Sequence, residues 1–334
     1  MPKKVLRTLS IVVAVMVLVG CLVPLQALAQ EKETYYLLAT HAGIPYWLDH
    51  KRGAEAAAQA LGVELVYIGA YGNDAEEQVN QLEMVIGKRP AGILIGPVRP
   101  ESLTPAINQA IAAGIPVITV VTDSPDSDRL CYIGPSGYDA GQEAADYMAN
   151  LLGPGEHYVG VSNLVGVYVC DQRAQGFIDG IKARYPSIHL VGVVNDNCDY
   201  EAGTKANTDL LVANPEIDGM LGTNAASAVG IAAAVDAVGK TGKVRVIGWD
   251  NDSPTLELIK AGKVDASIVH DSFLMSYMAI EMLYWYNHDI IKLTEGGDWS
   301  HFLAMALPSP WPTRVTFPAM FCTIDNVESF ERSE

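Results

Sequence analysis

Residues 35–68 read YYLLATHAGIPYWLDHKRGAEAAAQALGVELVYI, and their rhythm decides the fold. Tyr35–Thr40 is a short apolar run, Lys51–Leu61 is an alanine-rich amphipathic stretch closed by Gly62, and Val63–Ile68 is apolar again. Strands that are apolar throughout, rather than on alternate residues, are buried on both faces, and a helix between two of them is the crossover that a parallel sheet needs.

Working outward, the alternation continues with a helix over Ala75–Gly87, a strand at Gly92–Ile95, a helix over Glu101–Ala113 and a strand at Ile115–Val121. A second series follows, with helices at 140–152, 172–185, 202–213, 227–238 and 254–261 and strands at 158–161, 189–194, 219–222, 244–247 and 266–269. The spacing predicts an α/β protein of two doubly wound, parallel-sheet, Rossmann-like lobes, and 334 residues are enough to bury two cores. A long helix over Phe273–Asn287, a Gly296-Gly297 turn and the prolines 308, 310, 312 and 318 then read as a return to the first lobe and extended segments crossing between the lobes.

The amino terminus carries Lys3, Lys4 and Arg7 ahead of an uncharged apolar run, Leu9–Gly20, the pattern of an export signal. Cleavage after Ala27-Leu28-Ala29 gives a signal peptide of residues 1–29. Cleavage before Cys21, in Leu18-Val19-Gly20-Cys21, gives a lipoprotein signal of residues 1–20 with Cys21 lipidated. An uncleaved anchor is the third option. The expected location is therefore periplasmic or otherwise extracytoplasmic. The net charge of −17 disfavours nucleic acid and anionic membrane as partners. Cys131, Cys170, Cys198 and Cys322 remain, an even number for an oxidising compartment. Among the three pairings, Cys170 with Cys198 and Cys131 with Cys322 is preferred, buried free thiols being the alternative.

Catalytic patterns are missing. There is no H-E-x-x-H, no paired C-x-x-C and no G-x-S-x-G, and Gly239-Lys240-Thr241 lacks the first glycine of a phosphate loop, position 234 being alanine. No enzyme, metal or cofactor is expected. Doubly wound sheets place ligands at the carboxyl ends of their strands. Four groups stand there: Tyr46 and Trp47 after the first strand, Arg173 at a helix start, Asn224, and Asp250. Aromatic faces suit the C–H surface of a sugar ring, and an arginine fork, an amide and a carboxylate suit hydroxyls. Helix capping is the plain role open to Asn224 and Asp250. His270 closes a strand just before the chain returns to the first lobe.

Taken in order, Ile44-Pro45-Tyr46-Trp47, Gly114-Ile115-Pro116-Val117-Ile118-Thr119, Tyr132-Ile133-Gly134, Arg173 with Gly176-Phe177, Asn224 and Gly248-Trp249-Asp250 resemble the ribose-binding-protein family of type I periplasmic binding proteins. The resemblance implies two lobes joined by a three-strand hinge, with ligand in the cleft between them. The crossings would fall near Tyr132–Gly134, His270–Ser272 and Ala304–Leu307. The amino-terminal lobe would be 34–133 plus 272–306, and the carboxyl-terminal lobe 134–271 plus 307–334. Ligand contacts would include Tyr46, Trp47, Arg173, Asn224, Asp250 and His270, the last in place of a glutamine. Ile44 replaces an asparagine of ribose binders, Val121 an aspartate and Cys198 an aromatic. Asp123, with Thr122, would then supply the missing acceptor, and Tyr168 and Tyr200 the second wall. The implied function is a monomeric solute-binding protein that closes on a sugar or polyol and docks on the permease of an ABC transporter. A sensory receptor docking on a chemoreceptor or sensor kinase is the alternative. Repressors of the LacI type share the core, but the signal sequence, the acidic balance and the lack of a helix-turn-helix oppose that reading.

Overall fold

The structure, a computed structural model, describes residues 32–288 and 312–331. The export signal, Cys21 and the crossing expected at Ala304–Leu307 lie outside the described residues. In chain order come β1 (Thr34–Ala39), α1 (Pro45–Leu61), β2 (Glu64–Gly69), α2 (Ala75–Gly87), β3 (Gly92–Ile95), α3 (Pro100–Ala112), β4 (Val117–Val120) and β5 (Cys131–Gly134). The second series is α4 (Gly137–Leu152), β6 (His157–Asn163), α5 (Tyr168–Arg184), β7 (Ile188–Asn195), α6 (Tyr200–Ala213), β8 (Gly219–Gly222), α7 (Ser227–Ala237), β9 (Arg245–Trp249), α8 (Ser253–Lys260) and β10 (Ala266–Val269). Then follow α9 (Ser272–Asn287), β11 (Arg314–Thr316) and β12 (Met320–Thr323).

Two sheets result, with strand orders β11-β5-β4-β3-β1-β2 and β12-β10-β9-β8-β6-β7. The orders match strand for strand, so the first five strands of each half repeat one another, whereas the edge strands β11 and β12 run in opposite senses relative to their neighbours. All pairings are parallel except that of β10 with β12. The central strands β3, β4, β8 and β10 are buried at every residue, the property read from their unbroken apolar runs. α1 starts earlier than its alanine-rich stretch suggests, because Pro45 at its amino end presets the helical φ. α2 is capped by Asp74, whose carboxylate accepts from the Glu76 and Glu77 amides. The mostly apolar α9 packs on the first sheet, its Met275, Ala279, Ile280 and Leu283 sharing a core with Tyr35, Leu37 and Trp47.

Two expectations are corrected. The tail after residue 307 does not belong wholly to the second lobe: Arg314–Thr316 pairs with β5 in the first sheet, and only β12 joins the second. Each sheet has an edge strand whose amides need a partner, and the tail serves both. The four described cysteines are all free. Cys131 is in β5 of the first sheet and Cys322 in β12 of the second, each buried in its own core, which keeps that pair apart.

Candidate functional site

The carboxyl ends of both sheets face one cavity of about 70 Å³. Tyr46, Trp47, Arg173, Asn224 and Asp250 all line it, so the structure brings together five residues singled out in the sequence. Trp47 is seated by its indole N–H, which donates to Thr40 Oγ1 at 2.8 Å. Tyr46 meets it edge to face at 6.0 Å. The Tyr46 hydroxyl is buried with no partner, and burial, reinforced by the nearby Asp250 carboxylate, pushes its pKa far above the ordinary tyrosine range. It stays protonated, able to donate and to accept.

Arg173 stands in the second turn of α5 rather than at its start, because that helix begins at Tyr168. Its guanidinium lies 4.2 Å from the centre of the Trp249 ring, and Nη1 donates to Thr223 O at 2.8 Å. Nε is buried and unpartnered. A cation clamped between a ring and a carbonyl keeps one donor edge for the cavity. Its height is set by glycine: a Cβ at Gly141 of α4 would stand 2.1 Å from Arg173 O, and one at Gly176 would stand 2.0 Å from Tyr138 O. These two helices meet backbone to backbone, which no larger residue permits.

Asn224 is held by a residue the sequence did not betray. Asp196, with no exposed surface, accepts from Asn224 Nδ2 at 2.9 Å on both oxygens, from Ser162 Oγ at 2.9 Å, from Ser227 Oγ at 2.5 Å and from the Cys198 amide at 2.9 Å. Asn224 Oδ1 in turn accepts from the Ala226 amide at 3.0 Å, which fixes the amide's orientation. Only the serine-rich, polar ends of β6, β7 and α7 hint at such a hub. Asp250 follows β9 with a left-handed φ of 65°, and its backbone is pinned by the Asp250 N–H to Ile268 O bond of 2.8 Å.

The other candidates stand elsewhere. Asp123 is no spare acceptor: Arg129 grips both its oxygens, at 2.5 and 2.8 Å, and it lines a neighbouring cavity of about 220 Å³ together with Tyr168 and Arg314. His270 lines an outer groove with Asp49, Arg52 and Phe273. It stays beneath Trp249, ring centres 6.0 Å apart, with its pKa pushed down to about 3 by burial and then by Arg173. Tyr200 is 45% exposed and lines none of these cavities. Cys170 and Cys198 line the main cavity as thiols, not as a disulfide, with pKa values pushed up to about 12 chiefly by burial. Among the described residues no cluster of His, Cys, Asp or Glu is arranged to hold a metal.

The family profile described as periplasmic binding protein domain matches residues 35–286. The chain belongs to the type I periplasmic binding proteins. Within this family it is 27% identical over 240 residues to the ribose import binding protein of Salmonella typhimurium, covering 72% of this chain and 80% of that protein. It is also similar, at 29% identity over 213 residues, to a xylitol-binding protein of Mycolicibacterium smegmatis, covering 64% of this chain and 60% of that one. Among solved structures, a sugar-binding protein of a sugar ABC transporter from Bacillus halodurans superposes with a TM-score of 0.79 at 31% identity, over 90% of this chain and 100% of that chain. An arabinose-binding protein from Geobacillus stearothermophilus gives 0.75 at 32%, with the same coverage. These periplasmic binding proteins bind and do not catalyse, which accords with the lack of catalytic motifs.

Proposed function

We propose that this periplasmic binding protein is the extracytoplasmic receptor of an ABC importer and captures a neutral sugar or polyol between its two lobes. The observation that carries the proposal is the convergence of Arg173, Asn224 and Asp250, from the second lobe, on a cavity walled by Tyr46 and Trp47 from the first. One cation and one anion in the same small cavity favour a ligand without net charge. The fork, amide and carboxylate offer donors and acceptors in the mixture that vicinal hydroxyls require. The relatives named for ribose, xylitol and arabinose support the same class.

Ligand held by groups of both lobes favours the closed arrangement by its differential affinity alone. A membrane permease then reads the closed surface, and a monomer suffices for that task. The test is a thermal-shift and calorimetric screen of the purified protein against pentoses, hexoses, polyols, amino acids and nucleosides. A sugar or polyol should raise the melting temperature, and Asp250→Ala should abolish the rise. A response confined to amino acids or nucleosides would refute the ligand class.

A further inference from the structure

The two lobes repeat each other closely enough for positions to be compared. Gly53 is the ninth residue of α1 and Gly176 the ninth of α5, and a Cβ at either would stand 2.0 Å from a carbonyl of the adjoining helix, Phe273 O or Tyr138 O. On that register His50 of α1 occupies the place of Arg173 in α5. Val121, the residue after β4, occupies the place of Asp250, the residue after β9, and the two share a left-handed backbone with φ of 69° and 65°.

The polar pair that lines the cavity from the second lobe is thus matched in the first by a histidine turned away from the cavity and a valine. His50 is fully buried under Trp47 and Tyr46, ring centres 4.8 and 5.0 Å away, and bonds Ser276 Oγ at 2.7 Å instead of reaching the cavity. Val121 lines the cavity and shares an apolar cluster with Ile44, Val167 and Val169, so this corner spans both lobes. A β-branched residue with positive φ is an outlier, whereas asparagine and aspartate adopt that conformation readily. The backbone therefore keeps a geometry suited to a polar side chain and carries a methyl surface. Apart from the Tyr46 hydroxyl, the first lobe's remaining polar lining, Thr40, His41 and Asn73, follows β1 and β2, on the opposite flank of the sheet from β4.

We propose that the ligand presents a deoxy carbon or a methyl group to Val121, and that Val121 selects a deoxy sugar over its fully hydroxylated counterpart. The proposal rests on the sugar reading above. A hydroxyl laid against Val121 would give up water for a side chain that offers neither donor nor acceptor, whereas a C–H or methyl surface fits.

Calorimetric titration of the purified protein with matched pairs tests it: L-fucose with L-galactose, L-rhamnose with L-mannose, and 2-deoxy-D-ribose with D-ribose. The expected result is a preference of roughly ten- to a hundredfold for the deoxy member of at least one pair, the discrimination an apolar pocket achieves against one hydroxyl. Val121→Asn should cancel or invert that preference, and Val121→Thr, which keeps the shape, should narrow it. Equal or tighter binding of the hydroxylated member in every pair that binds would overturn this inference and leave the sugar reading intact. Binding of no sugar or polyol at all would overturn both.

Discussion

Replacing Asp196 with asparagine changes no volume, yet it should be among the most damaging substitutions in the second lobe. The carboxylate accepts from two serine hydroxyls, one backbone amide and the Asn224 side chain. Converting one oxygen to NH2 sets a donor against donors. If that oxygen is Oδ1, the Cys198 amide loses its acceptor and cannot turn away. If it is Oδ2, the serines must reverse, although Ser162 Oγ already accepts from Asn207 Nδ2 at 3.0 Å and Ser227 Oγ from the Asn224 amide at 3.3 Å. Losing one charge-assisted bond and orphaning one buried donor costs about 2–4 kcal/mol. At roughly 2–4 °C per kcal/mol for a unit of this size, the melting temperature should fall by about 5–15 °C. Asn224 loses its fixed orientation, so ligand affinity should drop by about tenfold, the equivalent of one ordinary hydrogen bond. Calorimetric melting and titration of Asp196→Asn measure both. A melting temperature within 1 °C of the parent (on the order of the error in such scans), with unchanged affinity, would refute the claim that Asp196 organises this edge.

Gly176→Ala should push α4 from α5 and carry Arg173 with it, costing about 1–3 kcal/mol by overpacking and weakening ligand binding. Gly53→Ala, its counterpart in the first lobe, should destabilise similarly while disturbing the Arg173 contacts less, as melting and titration of both variants would reveal. Burial holds His50 and His270 down to about 3, so below the ordinary histidine value the unfolded chain binds protons that the folded chain refuses. Stability should therefore be intact above pH 6.5 and fall as pH drops toward 3, by about 1.4 kcal/mol per pH unit for each histidine. His50→Gln should make that slope shallower in denaturant titrations. Alkylation without prior reduction should label Cys131, Cys170, Cys198 and Cys322 once the protein is denatured, but slowly in the native state, where burial keeps each thiol protonated. A mass that shows any of them oxidised would contradict the free-thiol structure.

What the sequence disclosed was whatever depends on near neighbours. Unbroken apolar runs such as Gly92–Ile95 and Gly219–Gly222 delimit strands because nothing but a buried parallel strand accommodates them, and their bounds match the structure. Tyr46, Trp47, Arg173, Asn224 and Asp250 were legible because position after a strand, together with chemistry, is enough to aim a side chain at the cleft. Asp123 misled because its partner, Arg129, lies six residues on and claims both oxygens. His270 ends a strand at the right height but points beneath Trp249. Asp196 was invisible because burial of a loop carboxylate depends on donors from two distant segments, Ser162 and Asn224 with Ser227. The tail's division between two sheets likewise depends on which edges need covering, a property of the assembled fold.

That tail has a consequence for how the chain is made. The segment 314–323 supplies the last strand to both sheets, one strand to each. Until it has been synthesised, β5 and β10 are open edges, so neither half of the molecule can finish ahead of the other. Completion of either sheet therefore waits for the same ten residues, which couples the last assembly step of the two halves.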